Sequence, residues 1–448
     1  MRLRAYDVIF MILSIVNVIM SCAFEITYIT YALAVLLFVF KITGVINNER
    51  YILYSLFVPN KYLQLLSVFL FLIFTNKLIA KKLTKLNTIF LIYILSVGTL
   101  NCFIYNGLYV AVIFQFGVYY CILRLIDDFE EHFSFDLVVE TFNKMFYLQI
   151  VSILIEYLIT HETMDALTGT MISAHYLGVF LLIYAYILWK SKILLKTTKA
   201  AMALKMIILI IGLYFVDAKH VVCVFFFSIM LARIFSKLKI KNRLTITMLS
   251  ITMFIVLVLW CISSGLFDTV ISSYPTIATY VLNGEYNKKL QFYLNTFEQL
   301  KGLNGLLGYG VGQYGSQICL TFAKGIIYSW DTSLSGYVYA ITPYADAIKG
   351  IMTQWYVEIG IVISSMVLGY PLVSFIALVA ELGLVGLFIF MQILDKKFRG
   401  SEAIFIMMFL IMTNFDTYFE IPCVFVLILI AESINRKDNV FFRGRKCL

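Results

Sequence analysis

Long apolar runs separated by short polar turns dominate this chain. They occupy 5–22, 26–41, 61–80, 87–104, 107–125, 138–160, 173–190, 203–216, 220–236, 245–266 and 374–394. A last stretch, 402–433, is broken near Asn414, Asp416, Glu420 and Pro422. A helix needs about 20 mostly apolar residues to cross a bilayer. The runs far exceed the alternating segments of about ten residues found in outer-membrane strands, which excludes a β-barrel. The pattern predicts an all-α polytopic integral membrane protein of about twelve transmembrane helices, give or take one. It divides into a bundle over 1–266, a large loop over 267–373, and further helices with a basic tail over 374–448.

Composition agrees with the pattern. Apolar residues are 62% of the 448 and charged residues 14%, with a mean hydropathy of +0.92. Soluble domains are roughly 45–50% apolar and about 25% charged, so the expected solvent is a bilayer. The net charge of +9 does not mark a nucleic-acid partner, because Lys and Arg lie in short clusters between apolar runs. The eight cysteines include no C-x-x-C pair and mostly fall inside those runs, where they read as small hydrophobes.

The positions of Lys and Arg orient the spans. Clusters stand at Lys77–Lys85, Lys190–Lys199, Lys237–Arg243, Lys396–Arg399 and Arg436–Lys446. With all of them in the cytoplasm, His161–Asp165, the turn Asp217-Ala218-Lys219-His220 and everything from Phe267 to Pro371 fall outside. The tail then makes two passes. The amino-terminal end does not close: spans at 5–22 and 26–41 with Arg2 and Arg4 inside put the cluster after Lys77 on the wrong side. Either the first forty or so residues cross once, or 41–61 hides a pass, or the amino terminus is outside.

The loop 267–373 is dense in aromatics, among them Tyr309, Tyr314, Trp330 and Trp355, and nearly neutral, with five lysines against six acidic residues. Disordered segments lack such residues, so the expectation is a folded extracytoplasmic cap. Its Tyr and Trp faces suit sugar rings, or else form an interfacial aromatic belt. Within it, Gly310-Val311-Gly312-Gln313-Tyr314-Gly315 spells G-x-G-x-x-G. The dinucleotide reading of that motif needs a buried strand before it and a βαβ unit around it, and the sequence offers neither. What remains is a plain turn, or a backbone whose N–H groups bind an anion or a sugar.

The order of short motifs resembles the bacterial O-antigen and capsule repeat-unit polymerases (Wzy-type), relatives of the O-antigen ligases. Lys288-Lys289, a helical stretch, Leu307-Gly308-Tyr309-Gly310, then Glu381-Leu382-Gly383-Leu384-Val385-Gly386 follow the order of that family, and Lys219 stands where it often carries arginine. No histidine follows His220 and no His-Asn precedes Glu381, which favours polymerase over ligase. The resemblance implies a GT-C-like glycosyltransferase architecture in the bacterial cytoplasmic membrane. It also implies transfer of a growing glycan from undecaprenyl diphosphate to another lipid-linked repeat at the outer face. The implied partners are the undecaprenyl-diphosphate-linked oligosaccharide, membrane lipid, and a chain-length regulator and flippase of the same pathway. An O-antigen ligase or oligosaccharyltransferase and a polysaccharide flippase are the alternatives.

Such a transferase needs cations for the leaving diphosphate and a base for the acceptor hydroxyl. Lys219, Lys288 and Lys289 are the cation candidates, with His220 beside Lys219. A snorkelling lysine and a solvated helix face are the plainer readings. Glu381 is the first base candidate, because a charge inside a span costs about 2.5–3.5 kcal/mol; its plainer reading is helix packing beside Gly383 and Gly386. Glu358, Asp346 and Glu420 are further acids on the same side. Gly308, Tyr309, Gly310, Tyr314 and Trp330 are expected to line the substrate. His132, His161, His175 and His220 are dispersed and lack metal-ligand spacing, so the expected reaction uses neither metal nor cofactor.

Overall fold

The computed structural model describes residues 4–76, 83–105, 107, 109–132, 134–161, 167–194, 199–216, 219–238, 246, 249–250, 253, 296–298, 300–314, 316, 374–414 and 421–445. The described residues form helices and turns, with no strand among them. The helices are α1 Ala5–Phe24, α2 Tyr28–Ile42, α3 Asn48–Ser55, α4 Lys61–Phe74, α5 Lys85–Tyr105, α6 Tyr109–His132 and α7 Phe135–Thr160. After these come α8 Ala174–Leu194, α9 Lys199–Phe215, α10 Lys219–Lys237, α11 Leu303–Leu307, α12 Ser374–Lys397, α13 Glu402–Asn414 and α14 Pro422–Arg445.

Among the described residues, five stretches are long and apolar enough to cross a membrane: Ala5–Phe24, Lys85–Ile104, Tyr109–Asp127, Asp136–Thr160 and Ile376–Lys397. Their outer faces are apolar; Ile12, Phe103, Leu158 and Phe388 are all exposed. In water such a surface would associate, whereas lipid solvates it. Most of the predicted run 245–266 and most of the loop 267–373 lie outside the described residues.

Polar residues fix the helix ends. Asn60 opens α4 by accepting the N–H groups of Tyr62 (3.0 Å) and Leu63 (3.1 Å). Asn47 does the same for α3 through the N–H of Arg50 (3.0 Å), and Ser134 for α7 through that of Leu137 (3.3 Å). α7 stops at His161, which takes the left-handed conformation (φ 53).

The apolar pattern hid an element near the amino terminus. Of the predicted span 61–80, residues 77–80 lie outside the described residues and 61–74 form α4, whose 14 residues cover only about 21 Å. It folds back on α3. The Asn48 side chain donates to the Phe74 carbonyl at 3.4 Å, and the Tyr51 and Phe74 rings meet edge to face at 5.7 Å. At the closed end, buried Gln64 donates to the carbonyls of Leu56 (3.0 Å) and Val58 (2.8 Å). α4 therefore ends where α3 began, beside the end of α2, whose Lys41 lies over the Phe74 ring. The hairpin returns the chain to the side from which it came.

A buried ionic network fastens this hairpin to the bundle. Asp7 of α1 and Lys144 of α7 pair at 2.6 Å with almost no exposure. Lys144 also pairs with Glu140 (2.7 Å), and Arg50 of α3 reaches Glu140 at 3.2 Å. Arg50 donates to the Tyr6 hydroxyl, and Tyr54 to the Asp7 carboxylate. Burial, then that carboxylate, push the Tyr54 phenol far above its ordinary range, so it remains a donor. The network sets the start of α1 level with the early part of α7. Near the far end of α7, its buried Glu156 holds a loop that dips into the bundle, accepting the N–H of Gly169 (2.7 Å) and the hydroxyl of Thr168 (3.0 Å).

Two outcomes test this arrangement. Single cysteines introduced at Thr43 and Thr75, in a chain cleared of its eight native cysteines, should react with an impermeant thiol reagent from one side and a cysteine at Thr27 from the other. Labelling of Thr43 and Thr75 from opposite sides would make α4 a true pass. Lys144→Met leaves the Asp7 charge buried without its cation and should cost about 3 kcal/mol. Thermal melting in detergent measures this, and Asp7→Asn added to Lys144→Met should recover part of the loss.

Candidate functional site

α12 is a helix with a break in it. Gly383 sits at φ 61, ψ −176, a conformation essentially reserved for glycine. Breaking a helix in an apolar setting strands carbonyls that would otherwise serve residues four positions on. Here a segment of the distant loop supplies the donors. Tyr309 N–H reaches the Ala380 carbonyl at 2.7 Å and Gly310 N–H the Glu381 carbonyl at 3.0 Å. The Tyr93 hydroxyl of α5 lies 2.7 Å from the Leu382 carbonyl and 2.9 Å from that of Leu307, donating to one at a time. Asn101, two turns further along α5, donates to the Gly308 carbonyl at 2.7 Å.

The Glu381 side chain completes the junction. Its carboxylate accepts the N–H of Gly312 at 2.8 Å on one oxygen, and those of Tyr314 and Ser316 at 3.0 Å each on the other. The glutamate is 2% exposed. The backbone N–H groups of the G-x-G-x-x-G turn thus engage an anion, and that anion is the protein's own carboxylate. Hydrogen bonds to a charged group are worth roughly 1.5–3 kcal/mol each, so the junction is a strong one.

The glycines are where the backbones need room. A Cβ on Gly308 would run into the Glu381 carbonyl and the Gly383 nitrogen, and one on Gly310 would stand 2.7 Å from the Gly98 Cα of α5. Gly386 makes the slot that receives the Tyr93 ring. Each member of the Glu-x-Gly-x-x-Gly pattern therefore has a distinct job: an anion for the turn, the break, and the slot.

Around the junction, Tyr309 and Tyr314 stack at 5.3 Å with their planes 12° apart. Buried Tyr314 donates to Thr296 Oγ1 at 2.7 Å. Burial raises the Tyr314 phenol above its ordinary range, which keeps it a donor. Tyr93 lies about 18 Å of helix from the end of α5 at Tyr105, so the turn is seated deep between helices. Irregular backbone survives at such depth only where protein encloses it, and Val311, Gln313 and Tyr314 are all buried.

The structure thus gathers five of the predicted site residues, Glu381, Gly308, Tyr309, Gly310 and Tyr314, into one place. Lys219 and His220 open α10, and their side chains lie outside the described set. Lys288, Lys289, Trp330, Glu358, Asp346 and Glu420 are outside the described residues altogether. Sequence reasoning missed Tyr93, Gly98 and Asn101; an Asn and a Gly in the apolar run 87–104 were the available signal.

These features are those of an all-helical, membrane-embedded protein with a loop locked into a broken helix. Compared with protein-family models, with curated proteins and with solved structures, the chain matches none of them.

Glu381→Gln should unseat the turn, because the amide places an NH₂ against a backbone N–H and removes the charge. The expected cost is about 2–3 kcal/mol, read as a lower melting temperature and as faster protease cleavage between 300 and 316. A variant as stable and as resistant as the wild type would show that the carboxylate does not hold the turn.

Proposed function

We propose that this protein is a polymerase of lipid-linked oligosaccharide repeats, working at the outer face of a bacterial cytoplasmic membrane. One observation carries the reading. Two of the short motifs that carry the family resemblance, Leu307-Gly308-Tyr309-Gly310 and Glu381-Leu382-Gly383-Leu384-Val385-Gly386, lie far apart in the sequence and form a single junction in the structure. Weak motifs that assemble with complementary roles support a shared architecture better than either does alone. The hairpin of α3 and α4 supports the sidedness: with α1 and α2 both taken as crossings, as in the sequence reading, the amino terminus and the cluster after Lys77 fall on one side, as positive-inside placement requires.

In this reading the acceptor sugar's hydroxyl attacks the anomeric carbon of the donor glycan. The bond from that carbon to the diphosphate oxygen breaks, and a new glycosidic bond forms. The hydroxyl's proton passes to a carboxylate base and the diphosphate leaves on its prenyl carrier. Lys219 and the pair Lys288 and Lys289 neutralise the leaving group as point charges. The lone pairs of Glu381 are already engaged by backbone N–H groups, which favours a positioning role for it. Glu358 is then the leading base candidate. Tyr309 and Tyr314 are buried and stacked on each other, so they support the turn, and sugar stacking falls to other aromatics such as Trp330.

The test is deletion of the gene in its host, followed by size-resolved analysis of the lipid-linked glycans. Single repeats on their lipid, with long chains missing, are expected. Long chains should return with the wild type and fall at least about 100-fold with a stably folded Lys219→Ala. Long polymer accumulating on the prenyl carrier would make the protein a ligase, and repeats confined to the cytoplasmic leaflet would make it a flippase.

A further inference from the structure

α10 has two unlike faces. Val224, Leu231 and Phe235 are buried on the side packed against α13 and α8. On the opposite side Phe226, Met230, Arg233 and Lys237 succeed one another every three or four residues, the spacing of a single helical stripe. Phe226 is 63% and Met230 46% exposed. Together with Ile229 and Ile234 the four line an open surface recess of about 290 Å³. Arg233 and Lys237, one turn apart, are exposed, and neither pairs with a carboxylate among the described residues.

An exposed apolar stripe ending in two cations matches an amphiphile with an anionic head. A guanidinium offers phosphate a two-point hydrogen bond, and the neighbouring ammonium adds charge. From Arg233 to Phe226 the stripe rises about 10 Å, enough to guide the upper part of an acyl chain. The sequence continues from Lys237 to Lys239, Lys241 and Arg243, and such juxtamembrane clusters face the anionic leaflet.

We propose that this stripe seats an anionic phospholipid, with its phosphate at Arg233 and Lys237 and an acyl chain over Ile229, Met230 and Phe226. The site is separate from the Glu381 junction and does not depend on the proposed polymerase activity. Lys219 opens α10 at its opposite end, so the carrier lipid of that reading would be held elsewhere.

Native mass spectrometry of the full chain released from detergent, with phosphatidylglycerol and phosphatidylethanolamine of matched chains added in turn, reads the site directly. The wild type should retain phosphatidylglycerol about tenfold more strongly, and Arg233→Gln with Lys237→Gln should abolish that preference. The charge-preserving exchange of Arg233→Lys with Lys237→Arg should keep it. Equal retention of the two lipids by the wild type would overturn the proposal without need of any variant. So would an unchanged preference in the double glutamine variant, or stronger retention of undecaprenyl phosphate than of phosphatidylglycerol.

Discussion

A backbone N–H or C=O group removed from water has to find a partner inside the protein, because leaving it bare in an apolar medium costs several kcal/mol. The break at Gly383 is possible only because Tyr309, Gly310 and Tyr93 meet the groups it releases. The turn, for its part, has N–H groups of its own to place, and Glu381 takes three of them. Neither segment is tenable alone. That mutual need joins a loop to a helix that begins well downstream in the sequence.

The same solution appears a second time. Glu156 of α7 accepts the Gly169 N–H and the Thr168 hydroxyl, while neighbouring Gln149 accepts the Thr170 N–H at 2.9 Å and donates to the Thr170 hydroxyl. Gly169, with φ 60, turns the chain back where a side chain would strike Gln149. In both places a glutamate on a long apolar helix serves as an internal counterpart for irregular backbone. An acid within a span therefore has an occupation here besides proton transfer. The carboxylate replaces the water that would otherwise solvate the turn.

The sequence disclosed the helical class readily, because apolar runs of span length rarely arise outside a bilayer, and α1, α5, α6, α7 and α12 follow them closely. It disclosed Glu381 and its glycines as well, since a charge inside such a run is expensive. It did not disclose α3 and α4. Residues 61–74 are as apolar as a span, and hydropathy carries no information about whether a helix crosses or turns back; that is decided by Gln64, Asn48 and Phe74, whose contacts are tertiary. The role of the G-x-G-x-x-G turn was half legible. The letters announce a backbone that can bind an anion, but the anion is a side chain sixty-five residues or more away, beyond what spacing conveys. Tyr93 and Asn101 were invisible for the same reason.

A hairpin that enters and leaves on one face has a particular standing in the architecture of such a chain. Because α3 and α4 come as a returning pair, they leave the parity of the crossings untouched. Lengthening or trimming them would not invert the orientation of anything downstream, whereas losing any single crossing helix would turn every later loop inside out. Of all the segments before α5, these two are the ones whose length could change without altering the side on which the later loops lie.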